Sequence, residues 1–71
     1  MQPNKTPINP EIGRRLKARR EELGYTLQQL ADRMKTDPAW ISRCENGRNI
    51  TLRTLERFSS ELRINISELT L

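Results

Sequence analysis

The stretch Lys35-Thr36-Asp37-Pro38 limits the possible folds of this chain more than any other. Pro38 has no backbone N–H, and its ring collides with the preceding turn, so no regular helix runs through it. It is well suited to the first position of a new helix, and Asp37 before it is a good cap. One helix must therefore end near Met34 and another must start at Pro38. Upstream, Thr26 with Gln29 three residues on forms a capping box. Leu27, Leu30, Ala31 and Met34 then fall at i, i+3, i+4 and i+7, a single apolar face. This first helix has only about eight residues, and the second runs no further than Asn46-Gly47, a C-terminal stop. Helices so short are marginal in water, so they must pack on each other and on neighbours.

The flanking sequence supplies those neighbours. Asn9-Pro10-Glu11 opens an earlier helix with a cap, a first-position proline and an acid in the first turn. Ile12, Leu16 and Leu23 form its apolar stripe, and Gly24 stops it. Arg48-Asn49-Ile50 reads as a loop. Thr51 caps a fourth helix with Leu52, Leu55, Phe58, Ser59 and Leu62 inward, and Asn65 with Glu68 caps a short last helix carrying Ile66 and Leu69. The expectation is an all-α, compact five-helix domain over residues 9–71, preceded by a disordered arm over residues 1–8, which is polar and holds two prolines.

Bulk properties narrow the function. With 71 residues the chain fits one domain with a small core. It carries 13 Lys+Arg against 9 Asp+Glu, a net charge of +4, which favours a polyanionic partner. There is no His, and Cys44 is the lone cysteine. A disulfide framework and a Cys-based zinc site are excluded within one chain, and no metal, cofactor or small-molecule ligand is expected. The usual acid–base and nucleophile arrangements are absent, so the chain is not expected to be an enzyme. No apolar run is long enough to span a membrane, the N-terminus lacks the apolar core of a signal peptide, and a cytoplasmic protein is expected.

Helical periodicity turns two charges inward. Arg20 lies on the stripe of the first helix, and Glu45 lies with Ile41 and Cys44 on the inner face of the third. A buried charge is costly unless paired, so the two are predicted to form an ion pair between those helices. Cys44, on the same inner stripe, reads as a small core hydrophobe. Arg14, Arg15, Lys17 and Arg19 read as a solvated basic face.

Two short amphipathic helices joined by about four residues form a helix-turn-helix unit. The first must pack closely on the second, and Ala31 supplies the small residue at the crossing. The second must expose one face fully, and Pro38, Ala39, Ser42, Arg43 and Asn46 form that face. Thr26-Leu-Gln-Gln-Leu-Ala31, Trp40-Ile-Ser-Arg-Cys-Glu-Asn-Gly47 and Thr51-Leu-Arg-Thr-Leu-Glu56 resemble the phage repressor and Cro-type (XRE-like) regulators of bacteria and phages, over roughly residues 11–71. The resemblance implies a compact five-helix repressor-type domain that lays its third helix in the major groove of double-stranded DNA.

That resemblance places Pro38, Ala39, Ser42 and Arg43 at base edges. Arg43 is the strongest candidate reader, because Arg pairs bidentately with guanine. It places Thr26 and Gln28 at a phosphate anchored on the start of helix two. Arg48, Asn49 and Arg53 correspond to the loop and helix-four start that grip the backbone, joined by Lys35 in the turn, by Asn46 and by Trp40, whose ring is expected to pack while its indole N–H reaches a phosphate. Three positions depart from the family pattern. Leu27 stands where Gln is common, and Lys35 and Arg63 stand where Gly is usual, so both are expected to carry strain if φ is positive.

The resemblance further implies a transcriptional regulator binding a palindromic operator as a homodimer, of the repressor, restriction-controller or mobile-element type. Ile64, Ile66, Leu69 and Leu71 are too many for a core this small to bury and are the expected dimer surface. The alternative is a helix-turn-helix fold used for protein–protein contact, antitoxin-like or anti-regulator. An apolar outer face on helix three would favour that alternative, whereas Ser42, Arg43 and Asn46 make the face polar.

Overall fold

A computed structural model of the chain describes residues 5–6 and 10–70. The helices begin and end where the caps direct. α1 spans Pro10–Glu22, and Gly24, at φ 79°, turns the chain out of it. α2 spans Leu27–Met34 behind a complete capping box: the Gln29 amide donates to Thr26 Oγ1 at 3.0 Å and the Thr26 amide to Gln29 Oε1 at 2.8 Å. α3 spans Pro38–Glu45, with the Trp40 amide donating to the Asp37 carboxylate at 2.8 Å. α4 spans Leu52–Leu62 behind Thr51, which accepts from the Thr54 amide, and α5 spans Ile66–Thr70. The expected cap Asn9 lies outside the described residues.

Lys5–Thr6 forms a short strand, β1, antiparallel to Ile50–Thr51, β2, with Lys5 opposite Thr51 and Thr6 opposite Ile50. This departs from the disordered arm expected over residues 1–8. The extended backbone entering α4 leaves hydrogen-bonding groups that a second extended segment satisfies, a pairing that no periodicity in a two-residue strand announces. The rest of that arm lies outside the described residues.

The inward stripes converge on one core. Leu16, Leu30, Ala31, Ile41, Cys44, Leu55, Phe58, Leu62 and Leu69 are fully buried, with Ile12, Met34 and Ile50 nearly so. Leu23, Leu27, Ile64 and Ile66 pack against its margin. Two expected placements change. Leu52, read as inward, is half exposed, because as the first residue of α4 it sits beyond the layer that α1 and α2 cover. Leu69, read as part of a dimer surface, fills the domain's own core, and Leu71 lies outside the described residues.

Both positions at which Gly is usual in the resembled family adopt the left-handed conformation: Lys35 at φ 58° closes α2 and Arg63 at φ 52° closes α4. A side chain there costs about 1–2 kcal/mol, while Gly forfeits about 0.5–1 kcal/mol of extra chain entropy. Lys35→Gly is therefore expected to stabilise the fold by about 0.5–1 kcal/mol, read as a higher urea midpoint. A lower midpoint would remove strain from the account of this turn.

Candidate nucleic-acid interface

The back of α3 determines where its front faces. Arg20 Nε donates to Glu45 Oε2 at 2.6 Å and its Nη2 to Oε1 at 3.2 Å, a two-pronged pair whose side chains are 9% and 5% exposed. The third guanidinium nitrogen donates to the Tyr25 carbonyl at 2.7 Å. One arginine thus joins α1, the α1–α2 turn and α3. The crossing of α1 and α3 depends on Gly13: a Cβ there would lie 2.3 Å from the carbonyl oxygen of Glu45 and 2.7 Å from its carbonyl carbon. The two backbones touch at this point. Trp40 stacks flat on Phe58, centroids 5.6 Å apart and planes 5° from parallel, which ties α3 to α4.

With that side held, the opposite face of α3 is open. Ala39, Arg43 and Asn46 are exposed, and Pro38 and Ser42 are partly so. Asn46 Nδ2 donates to the Ser42 carbonyl at 2.8 Å, adding a side-chain bond to the backbone bonds of Asn46, Gly47 and Arg48 that close the helix. Arg43 forms no ion pair among the described residues. At the start of α2, the hydroxyl and amide of Thr26 are taken up by the capping box, and Gln28 Nε2 donates to Asp32 at 2.8 Å. The anchoring groups left at this end are the backbone N–H groups of the first turn, at Leu27 and Gln28, which helix geometry leaves without intrahelical acceptors.

Arg48 and Asn49 lie with Trp40, Ile50, Thr51 and Thr54 around a shallow cleft of about 190 Å³. Lys35 and Arg53 are exposed at the α2–α3 turn and the first turn of α4. Neither forms an ion pair among the described residues.

Several of the cations have structural work elsewhere. The run on α1 is not simply a solvated face. Arg19 donates to the carbonyls of Leu62 at 2.9 Å and Arg63 at 3.1 Å, and Arg15 donates to the Glu68 carbonyl at 3.1 Å. Arg57 on α4 donates to the Met34 carbonyl at the end of α2. Helix C-termini present unsatisfied carbonyls and partial negative charge, and a guanidinium from a neighbouring helix answers both. Arg14 and Arg15 also hydrogen-bond Glu11, and these bonds, that of Arg14 foremost, hold its carboxyl below the usual carboxylate range. Arg33 pairs with Glu61 at 3.2 Å and lies over the Tyr25 ring. Among the described residues, Lys35, Arg43, Arg48 and Arg53 form no ion pair, and they lie on and around α3.

Cys44 has no place in this surface. It is fully buried, and burial pushes its thiol up to about 11, so no thiolate nucleophile forms near neutral pH.

A family model described as "Helix-turn-helix domain" matches residues 11–64. The chain belongs to the helix-turn-helix domain family. The match starts one residue into α1 and ends just past α4, so it takes in the helix-turn-helix unit α2–α3 and both helices that hold it. No curated protein and no solved structure matches the chain. Membership of this family, with the phage repressor and Cro-type motifs, points to a DNA-binding regulator. No helix among the described residues is long and apolar enough to cross a membrane.

Gly13, Arg15, Arg19 and Arg57 take roles not expected from the sequence. A glycine inside a helix costs about 1 kcal/mol relative to alanine, so Gly13 within α1 was itself a signal of close approach. Arg19 and Arg57 carried no such signal, since an arginine on a polar face looks the same whether it meets water or a carbonyl 43 or 23 residues away.

Proposed function

We propose that this protein is a sequence-specific transcriptional regulator that binds double-stranded DNA with α3 in the major groove. The observation that carries this reading is the outer face of α3. It is polar, free of ion pairs at Arg43, and flanked by Lys35, Arg48 and Arg53. In the proposed complex Pro38, Ala39, Ser42 and Arg43 meet base edges, with Arg43 pairing bidentately to guanine. The first-turn amides of α2 at Leu27 and Gln28, next to the Thr26 cap, hold one phosphate. Lys35, Trp40, Asn46, Arg48, Asn49 and Arg53 hold the flanking backbone. A protein-contact role for the same face would call for apolar residues. The large apolar side chain that is exposed, Leu52, lies on α4 instead.

One such domain reads few base pairs, so we place it on a palindromic operator as a homodimer, with recognition helices about 34 Å apart. Ile64 and Ile66, which are only partly covered, are the residues left for the contact. A repressor, restriction-controller or mobile-element regulator acts in this way.

Selection of bound duplexes from a random pool tests the reading. Wild-type protein is expected to enrich a two-fold symmetric motif whose half-sites lie about ten base pairs apart. Its affinity for that motif should fall steeply with salt. Arg43→Ala is expected to lose about 1–3 kcal/mol of discrimination at a guanine in each half-site. Enrichment of no motif would sink the sequence-specific reading, and an asymmetric motif would sink the dimer.

A further inference from the structure

We infer that Arg57, a residue of α4 outside the DNA-facing surface, is a positioning residue that sets the angle at which α3 presents its base-reading side chains; the inference rests on the DNA-binding reading above. Between the end of α2 at Met34 and the cap of α3 at Asp37 stand only Lys35 and Thr36. The angle between the two helices therefore resides in very few backbone torsions, and one of the residues, Lys35, occupies the left-handed region at φ 58°. The turn's own amides bond backward into α2: Thr36 N–H to the Ala31 carbonyl at 2.9 Å, and Lys35 N–H to the Asp32 carbonyl at 3.3 Å. These bonds secure the end of α2 but leave the Met34 carbonyl, the last of the helix, open.

Arg57 closes it. Its Nη2 donates to the Met34 carbonyl across the α2–α4 contact. A charged donor on a helix C-terminal carbonyl is among the stronger hydrogen bonds available, and the partial negative charge at that end adds to it. One residue further on stands the strained Lys35, from which the chain leads through Thr36 to Asp37. Arg57 thus holds the fixed side of the hinge, while Trp40 stacked on Phe58, one residue along α4, holds the moving side. Both anchors come from a single turn of α4, so α4 works as the template on which the α2–α3 angle is set. With no bond to Met34, the α2 side of the turn rests on a residue already outside its preferred conformation, while α3 is still held by Trp40, Arg20 and the Gly13 crossing.

This predicts a separation between two kinds of DNA binding. Phosphate attraction depends on Lys35, Arg43, Arg48 and Arg53, which a substitution at position 57 leaves in place, whereas base reading requires the angle. Affinities of wild type, Arg57→Ala and Arg57→Gln are to be compared on the pool-selected duplex and on a scrambled duplex of the same composition. The measurements are made at a temperature where circular dichroism shows each protein folded. Arg57→Ala is expected to lose about tenfold on the selected duplex, the scale of one charge-assisted hydrogen bond, and less than twofold on the scrambled one. Arg57→Gln, which keeps a donor of lesser charge, should fall between, and it provides the comparison if the Ala variant does not fold. Equal losses on both duplexes, or no loss on either, would overturn the positioning role while leaving the wild-type motif intact. A wild-type pool that enriches no motif would instead remove the DNA-reading function, and this role with it.

Discussion

Replacing Arg20 by Ala is expected to cost about 3–5 kcal/mol of folding stability, a large share of the roughly 5–15 kcal/mol that holds a typical domain together. The substitution leaves the Glu45 side chain, 5% exposed, with no counter-charge, and it also strips the Tyr25 carbonyl of its donor. The loss comes from the stranded carboxylate more than from the broken attraction, so the double replacement Arg20→Met with Glu45→Leu should recover most of it. In a domain this small the single variant should lower Tm by more than about 10 °C. An unchanged Tm in Arg20→Ala would show that Glu45 finds water or another partner. Failure of the double variant to recover would show that the pair also positions α3 in a way that apolar packing does not replace.

The second large effect has the opposite sign from what helix propensity alone predicts. In an isolated helix, Gly13→Ala would stabilise by about 1 kcal/mol. Here the added methyl would sit 2.3 Å from the Glu45 carbonyl oxygen, which belongs to backbone and cannot swing aside. Either α1 and α3 separate or α1 shifts along its axis, and overpacking of this kind costs about 1–3 kcal/mol, occasionally more. The denaturation midpoint should therefore fall. Separation at this crossing would also loosen the Arg20–Glu45 bonds, because Glu45 takes part in both contacts, with its carbonyl against Gly13 and its carboxylate against Arg20. Gly13→Ala and Arg20→Ala should accordingly be less than additive when combined. A midpoint that rises in Gly13→Ala would mean that the helices have room for the methyl.

These two positions show how differently parts of the interface could be read from sequence. Arg20 and Glu45 each announced themselves, since a charge on an apolar stripe needs a partner and each was the other's nearest candidate. Arg43, Ser42 and Ala39 were legible as an outer face by subtraction, once Ile41, Cys44 and Glu45 were turned inward. Gly13 offered a weaker sign, a poor helix former inside a helix. Leu52 was misread because its spacing fits the α4 stripe but its place at the first turn puts it past the core. Leu69 was assigned outward on a volume argument that undercounted what α1, α4 and α5 enclose together.

What the sequence by itself determined is local: where each helix starts and stops, and which face is apolar. Caps, prolines and helical period act within one or two turns of chain, so they can be read without knowing the rest. The tertiary structure alone decided which arginines are left for a polyanion. Arg19 meets a carbonyl 43 residues away and Arg57 one 23 residues away. Nothing near either residue in sequence distinguishes such a clamp from a solvated cation. The net charge of +4 thus says little until those contacts are known, because hydrogen bonds to distant helix ends occupy several of the cations and leave Lys35, Arg43, Arg48 and Arg53 grouped around α3.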